Sequence, residues 1–344
     1  MYSFVNDYSE GAHPKVLELL VKYSQEQNKG YGNDVHSETA KRYIKEKLGK
    51  DHVDIHFIPG GTQTNLLVIS AFLRPHQCVI AADTGHINVH ETGAIEATGH
   101  KVVTMPAVEG KLTPQAIQAA VDYHGDEHMV RPKMVYISDS TELGTVYTKA
   151  ELTAIHHKCR ENGLLLFLDG ARLASALTSK VNDLSLKDIA DLTDVFYIGG
   201  TKNGALLGEA LVICKEELKE DFRYLIKQRG AMMAKGFVMG IQFEALFEEN
   251  LYFELGEYAN RQAEAIAKTL KESGYSFYEA PCSNQLFPIL PNTIMNQLSE
   301  QFQFLIQARV DESHTAVRFV TSWASSEESV KELVKFFQSN PVNK

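Results

Sequence analysis

Three stretches of this chain combine residue types that can do chemistry. The first is Pro59-Gly60-Gly61-Thr62-Gln63-Thr64-Asn65, which follows the apolar run DIHFI at Asp54–Ile58. Paired glycines let a backbone approach a ligand closely, and free N–H groups at a helix start attract an anion. Thr62 adds a hydroxyl donor. The pattern is neither a nucleoside-triphosphate loop nor a dinucleotide fingerprint, so a single phosphate is the simplest guest. A tight turn with an N-cap accounts for the same residues. The second stretch, Asp169-Gly170-Ala171-Arg172, ends the run LLLFLD. A carboxylate there is costly to bury unpaired. Either Arg172 is its partner or it faces a cationic group on a ligand. The third, Gly199-Gly200-Thr201-Lys202-Asn203-Gly204, follows VFYI. A desolvated lysine has a lowered pKa and condenses readily with carbonyls. A lone loop lysine is ordinarily a solvated surface charge; its company singles this one out.

A phosphate, an aldehyde and a ring nitrogen kept protonated by a carboxylate occur together in pyridoxal phosphate, which is an electron sink. The three stretches supply one partner for each, in chain order.

The elements that must position them alternate. DIHFI, CVIAA (Cys78–Ala82), KVVTM (Lys101–Met105), MVYIS (Met134–Ser138), LLLFLD, VFYI (Val195–Ile198) and ALVIC (Ala210–Cys214) read as buried strands. Helices fall between them: one from Thr62, one opened by Thr113–Pro114 with Ile117, Ala120 and Val121 inward, and one opened by the capping box Thr148-x-x-Glu151. That helix buries Leu152, Ile155 and Cys159. Near-continuous apolar strands separated by helices require a mostly parallel sheet covered on both faces, spanning roughly residues 30–240. Phe243–Leu270 reads as a long connector helix into a smaller unit. That unit holds CSNQLFPIL, RFVTSW (Arg318–Trp323) and a last helix capped by Ser325-x-x-Glu328, with Val330, Leu333, Val334 and Phe337 inward. The expected division is a large cofactor-binding domain over 1–245, including an N-terminal arm, and a small α/β domain over 246–344.

The chain has 344 residues, with 34 Lys and Arg against 44 Asp and Glu, for a net charge of −10. That balance opposes broad binding to nucleic acid phosphates. No apolar run reaches the ~18 residues of a membrane helix, and no secretory signal opens the chain. Cys78, Cys159, Cys214 and Cys282 are scattered and read as reduced, buried thiols, which fits the cytoplasm.

PGGTQTN, DTGHINVHETGA, FLDGAR, GGTKNG and AVRFVTSW, taken in order, resemble the motifs of the threonine aldolase and β-eliminating lyase family. The most specific part is FLDGAR followed by a lysine 33 residues after Asp169. Asn6-Asp7 and Tyr31–Asp34 fit as well. The resemblance implies the pyridoxal-phosphate fold of aspartate aminotransferase (fold type I) and cleavage of small β-hydroxy-α-amino acids such as L-threonine or L-allo-threonine. It implies that Lys202 holds the cofactor aldehyde as a Schiff base, Asp169 faces the ring nitrogen and Arg172 lies near the ring hydroxyl. Gly61 and Thr62 would bind phosphate, His86 would stack on the ring, and Asn6 and Arg318 would hold the substrate, Arg318 at its α-carboxylate. Residues 228–236 match a segment that reaches a neighbouring subunit's site, with Arg229 and Lys235 as equal candidates for an added cation. A homodimer or homotetramer follows. Glu142 stands where many members carry a histidine near the substrate side chain, so it is a candidate catalytic residue that leaves the substrate open. β-Elimination remains an alternative.

His124-Gly125-Asp126-Glu127-His128 matches an inverted zinc-peptidase pattern. Gly125 and Asp126 are poor helix formers, so a polar loop is expected, not a metal site. His86 and His90 lack an evident third ligand. A silent α/β protein that merely binds an anion is the remaining alternative, and it would lack the cofactor's colour.

Overall fold

The computed structural model describes residues 1–342. Seven strands form one sheet in the order Asp54–Ile58, Glu209–Ile213, Val195–Gly199, Leu165–Asp169, Arg131–Ser138, Gln77–Ala82, Lys101–Met105. Only Glu209–Ile213 runs against the rest, pairing antiparallel with both its neighbours. The middle strands are buried along their whole length, as their Val, Ile, Leu and Phe content demands. Two apolar clusters cover the two faces. The fold is therefore an α/β architecture with a mostly parallel seven-stranded sheet flanked by helices.

The helix starts follow their local chemistry. Thr113 accepts from the Ala116 N–H with Pro114 in the first turn, and Thr148 and Glu151 form the reciprocal capping box. The last helix, Glu327–Ser339, starts one residue later than the Ser325 cap implied. Ser326 accepts from the Ser329 N–H, because the Ser325 hydroxyl already accepts from the Ser322 N–H. Its buried face is Val330, Leu333, Phe336 and Phe337, with Val334 only partly covered. The expected long connector is two helices, Phe237–Phe247 and Leu251–Glu272. The chain breaks at Glu248–Asn250, where three polar residues lie exposed between two buried aromatic patches.

Leu251–Glu272 straddles both units. Tyr252 and Leu255 pack on the sheet's helical cover, whereas Ala263, Ile266 and Leu270 enter a third cluster with Phe319 and Phe337. A small antiparallel sheet of Gln285–Leu286, Ile289–Pro291, Leu305–Arg309 and His314–Val320 completes that unit. The N-terminal strand Tyr2–Ser3 pairs with Phe302–Gln303, and Phe4 lies in the same cluster. The arm thus begins inside the C-terminal unit rather than on the large one. All four cysteines are free; Cys78 and Cys159 are buried, while Cys214 and Cys282 are half-buried. No helix among the described residues is long and apolar enough to cross a membrane.

Candidate active site

Parallel strands discharge their loops at one edge of a sheet, and ligands collect there. Here that edge carries the turn after Ile58, the short helix His86–Val89, the loop after Ser138, Asp169–Arg172 and the loop around Lys202. They surround a cavity of about 330 Å³ bordered also by Tyr8 from the N-terminal arm.

Two glycines set the spacing of the central loops. A Cβ on Gly170 would stand 1.9 Å from the Tyr197 carbonyl oxygen, and one on Gly199 2.4 Å from that of Ala171. The Gly199 N–H donates to the Gly170 carbonyl at 2.9 Å. Without side chains there, the loops bearing Asp169 and Lys202 close against one another.

At one end of the cavity, the helix Gly61–Phe72 starts with Gly60 at its N-cap and no side chain capping it. Its first N–H groups and the Thr62 hydroxyl border the cavity, an arrangement suited to an anion. At the other end Asp169 is buried. Tyr197 donates to its Oδ1, Tyr136 to its Oδ2 at 2.6 Å and the Asn65 amide to Oδ2 at 3.1 Å. Burial pushes its pKa up, but the His86 ring and the two tyrosine hydroxyls outweigh that and leave it below the usual aspartate value. Asp169 is thus poised to hold a charge against a cation.

Lys202 lies between these ends, 5.9 Å from the Tyr8 ring centroid. Burial, with the Arg172 guanidinium nearby, lowers its pKa; Asp7, Asp169 and Glu209 pull the other way. Glu209 accepts from the Gly200 N–H at 2.9 Å and the Thr201 hydroxyl at 2.8 Å, fixing the residues just before Lys202. Burial pushes Glu209 up to about 7.

Arg172 does not pair with Asp169. Its Nε and Nη2 donate to the two oxygens of Asp7. Asn6 is not among the residues that border the cavity; its Oδ1 accepts from the Tyr8 N–H and the Ser9 hydroxyl, shaping the arm. Arg318 donates from Nη2 to the Val5 carbonyl at 3.3 Å, and its buried Nε has no partner among the described residues. Arg318 is not among the residues that border the cavity. Glu142 borders the cavity, and its Oε1 accepts from the His86 N–H at 2.8 Å and the Ser138 hydroxyl at 2.7 Å. Burial raises its pKa. His86 lines the cavity, with Nδ1 against the buried carboxylate of Glu91 at 2.8 Å.

Arg229 and Lys235 are exposed. The Gln63 amide donates to the Arg229 carbonyl, which sets that backbone beside the cavity's anion end. His124 ends the helix Pro114–Tyr123 with Nδ1 on the Ala120 carbonyl, and the residues after it form a loop. Among the described residues no group of three or more His, Cys, Asp or Glu could hold a metal ion.

Sequence reasoning missed Tyr8, Asn65, Glu91, Tyr136, Tyr197 and Glu209. Tyr136 and Tyr197 each lie two residues before a strand end, so period-2 alternation puts each on the same sheet face as the last residue of its strand, beside the loops. That was the available signal.

The beta-eliminating lyase family model matches residues 13–291. The chain belongs to that family. The low specificity L-threonine aldolase of Pseudomonas aeruginosa is 30% identical over 342 residues, covering 96% of each chain. The Escherichia coli low specificity L-threonine aldolase is 27% identical over 71% of this chain and 72% of that one. A solved Leishmania major threonine aldolase structure superposes with a TM-score of 0.97 at 52% identity, covering 98% of this chain and 99% of that one. A Thermus thermophilus aspartate aminotransferase shares the fold, with a TM-score of 0.73 at 14% identity over 98% of this chain and 91% of that one. This beta-eliminating lyase family member is therefore an enzyme with threonine aldolase relatives and the aminotransferase fold.

Proposed function

We propose that the enzyme uses pyridoxal phosphate to cleave the Cα–Cβ bond of small β-hydroxy-α-amino acids, L-threonine or L-allo-threonine, to glycine and an aldehyde. The observation that carries this reading is the convergence on one cavity of the open helix start at Gly61–Thr62, the Lys202 amine and the buried Asp169 carboxylate. Those groups fit the phosphate, aldehyde and ring nitrogen of the cofactor. When bound, the cofactor supplies an electron sink for the breaking bond.

The remaining work falls to the chain's own side chains. The N–H groups of Gly61 and Thr62 bind the phosphate. Lys202 Nζ, its pKa lowered by burial, holds the aldehyde carbon. Asp169 keeps a proton on the ring nitrogen. Arg318 receives the substrate carboxylate through its guanidinium. His86 takes the β-hydroxyl proton, while Glu142 holds the turn that bears His86.

A shared site is part of the proposal. Arg229 or Lys235 supplies a cation to a neighbouring subunit's phosphate end, making the active species a homodimer or homotetramer. The free thiols support a reducing, cytoplasmic setting.

The test is borohydride reduction followed by peptide mapping, set beside product assays. Label on Lys202, with glycine and acetaldehyde from threonine, supports the proposal. Label on another lysine, or ammonia from serine or cysteine with no cleavage of threonine, overturns it. A fully active monomer in sedimentation would remove the shared site.

A further inference from the structure

Behind the cavity wall lies a run of polar contacts that the proposed chemistry does not use. The Glu91 side chain is completely buried. Its Oε1 accepts from the Asn65 amide at 2.7 Å and faces His86 Nδ1 at 2.8 Å. The same Asn65 nitrogen donates to Asp169 Oδ2 at 3.1 Å. Two carboxylate acceptors fix which way the amide points, since only its nitrogen can donate to both. His86, Glu91, Asn65 and Asp169 are therefore joined in one unbroken line. Among the described residues Glu91 Oε2 and Asn65 Oδ1 have no partner, and Glu91 forms no ion pair with a lysine or arginine. A carboxylate held that deep against a single imidazole is not there as a surface charge.

We infer that Glu91 is the positioning residue for His86, and that Asn65 ties this pair to Asp169 so that both groups facing the cofactor ring are set by one buried network. The inference rests on the reading of this cavity as a pyridoxal-phosphate aldolase site. A carboxylate can only accept from neutral His86, so Nδ1 carries the hydrogen and Nε2 keeps its lone pair. The ring itself is part of the cavity wall, and Nε2 takes no hydrogen bond among the described residues. The imidazole is thereby offered to the substrate as an acceptor rather than a donor.

The proton balance follows. The β-hydroxyl O–H bond breaks and an Nε2–H bond forms. The oxygen's electron pair becomes the aldehyde C=O, and the Cα–Cβ pair remains on Cα, where the proton held on Nε2, returned directly or through solvent, completes glycine and restores neutral His86. The imidazolium formed at His86 sits against the Glu91 carboxylate, which stabilises it without itself taking the proton. Because Asn65 also donates to Asp169, rotation of Glu91 is resisted from the far side.

The test combines nitrogen NMR of histidine-labelled, full-length enzyme with kinetics, using Glu91→Ala and Glu91→Gln. His86 signals are assigned by their loss in His86→Ala. The parent and Glu91→Gln, which keeps an acceptor oxygen, show His86 with hydrogen on Nδ1 above neutral pH; Glu91→Ala moves it to Nε2. Threonine cleavage falls about 100-fold in kcat for Glu91→Ala and less than about tenfold for Glu91→Gln. In a His86→Ala background, Glu91→Ala changes kcat by no more than about twofold. Hydrogen on Nε2 in the parent, or an undiminished Glu91→Ala effect without His86, overturns the inference. If Lys202 takes no borohydride label while the tautomer results hold, the cofactor reading fails and the Glu91–His86 pairing stands.

Discussion

Arg172 grips Asp7 with two hydrogen bonds, Nε to Oδ2 at 2.7 Å and Nη2 to Oδ1 at 3.0 Å. The pair joins residues 165 positions apart in sequence. Asp7 Oδ2 also accepts from the Asn284 amide at 3.0 Å. One buried carboxylate thus ties the N-terminal arm, the loop after the Asp169 strand and the C-terminal unit to one another. Planar two-pronged pairing fixes orientation as well as distance. It leaves Asp169 free of a guanidinium and keeps a positive charge close to Lys202, where it helps burial lower the amine's pKa.

Asp7→Asn is expected to cost about 3 kcal/mol of stability at pH 7, because it leaves Arg172 buried without its counter-charge. Burial pushes the Asp7 pKa up, but Arg172 and Lys202 pull harder and hold it below 3.8. A depressed carboxylate stabilises the fold above its unfolded value and loses that contribution as pH falls through the folded one. Urea midpoints of parent and variant should therefore differ at pH 7 and converge well below pH 4. Equal midpoints at pH 7 would show that the pair contributes nothing net.

How much was readable beforehand depends on the kind of signal. The strands and helix caps announce themselves locally, through runs such as LLLFLD and through Thr148-x-x-Glu151, so the sheet follows from the sequence. So do the three loops at its edge, because strand ends deliver whatever comes next. Partner choice is not local. Arg172 stands three residues from Asp169, yet its geometry is met by Asp7, 165 positions away. Tyr136 and Tyr197 hide inside apolar strands, where an aromatic ring reads as core until the hydroxyls are seen on Asp169. Ser325 and Ser326 offer two equivalent caps, and only the competing Ser322 N–H decides between them.

Asp169→Asn should fold normally and lose roughly a thousandfold in kcat. Asn fits the space; its single oxygen accepts from one of Tyr136 and Tyr197 while the other hydroxyl turns to accept from the amide nitrogen, but it carries no charge to stabilise a protonated ring nitrogen. Circular dichroism should match the parent while turnover collapses. Turnover within tenfold of the parent would make Asp169 a structural acceptor for the two tyrosines.

Asp139 is a second buried carboxylate, pushed up to about 7 by burial. The Tyr147 N–H donates to its Oδ1 at 3.3 Å, and its Oδ2 has no partner among the described residues. A raised carboxylate stabilises the fold most below its unfolded value near 3.8, and that contribution is lost as pH rises through about 7. Asp139→Asn, neutral at every pH, should therefore be more stable than the parent at pH 8.5, by about 4 kcal/mol, with the advantage shrinking as pH falls and gone only below about pH 4. Thermal unfolding across that range checks it; a pH-independent difference would mean Asp139 stays neutral or finds a partner.

Glu142 can act on the substrate or on the turn that holds His86. Its Oε1 is already engaged by the His86 N–H and the Ser138 hydroxyl, so the carboxylate caps the four-residue helix His86–Val89. Glu142→Gln preserves that acceptor oxygen and removes the base. If Glu142 only holds the turn, kcat for threonine falls less than about tenfold and the pH profile keeps its shape, while Glu142→Ala, which cannot cap, does worse. Stability adds a check with a definite sign. Burial raises the Glu142 pKa, so its contribution is full below 4.5 and is lost as pH rises through the folded value. Glu142→Gln should then be at least as stable as the parent at pH 8. Should the Gln variant instead lose a hundredfold in kcat along with the acid limb of the profile, the β-hydroxyl proton goes to Glu142, and His86 is left to orient the ring.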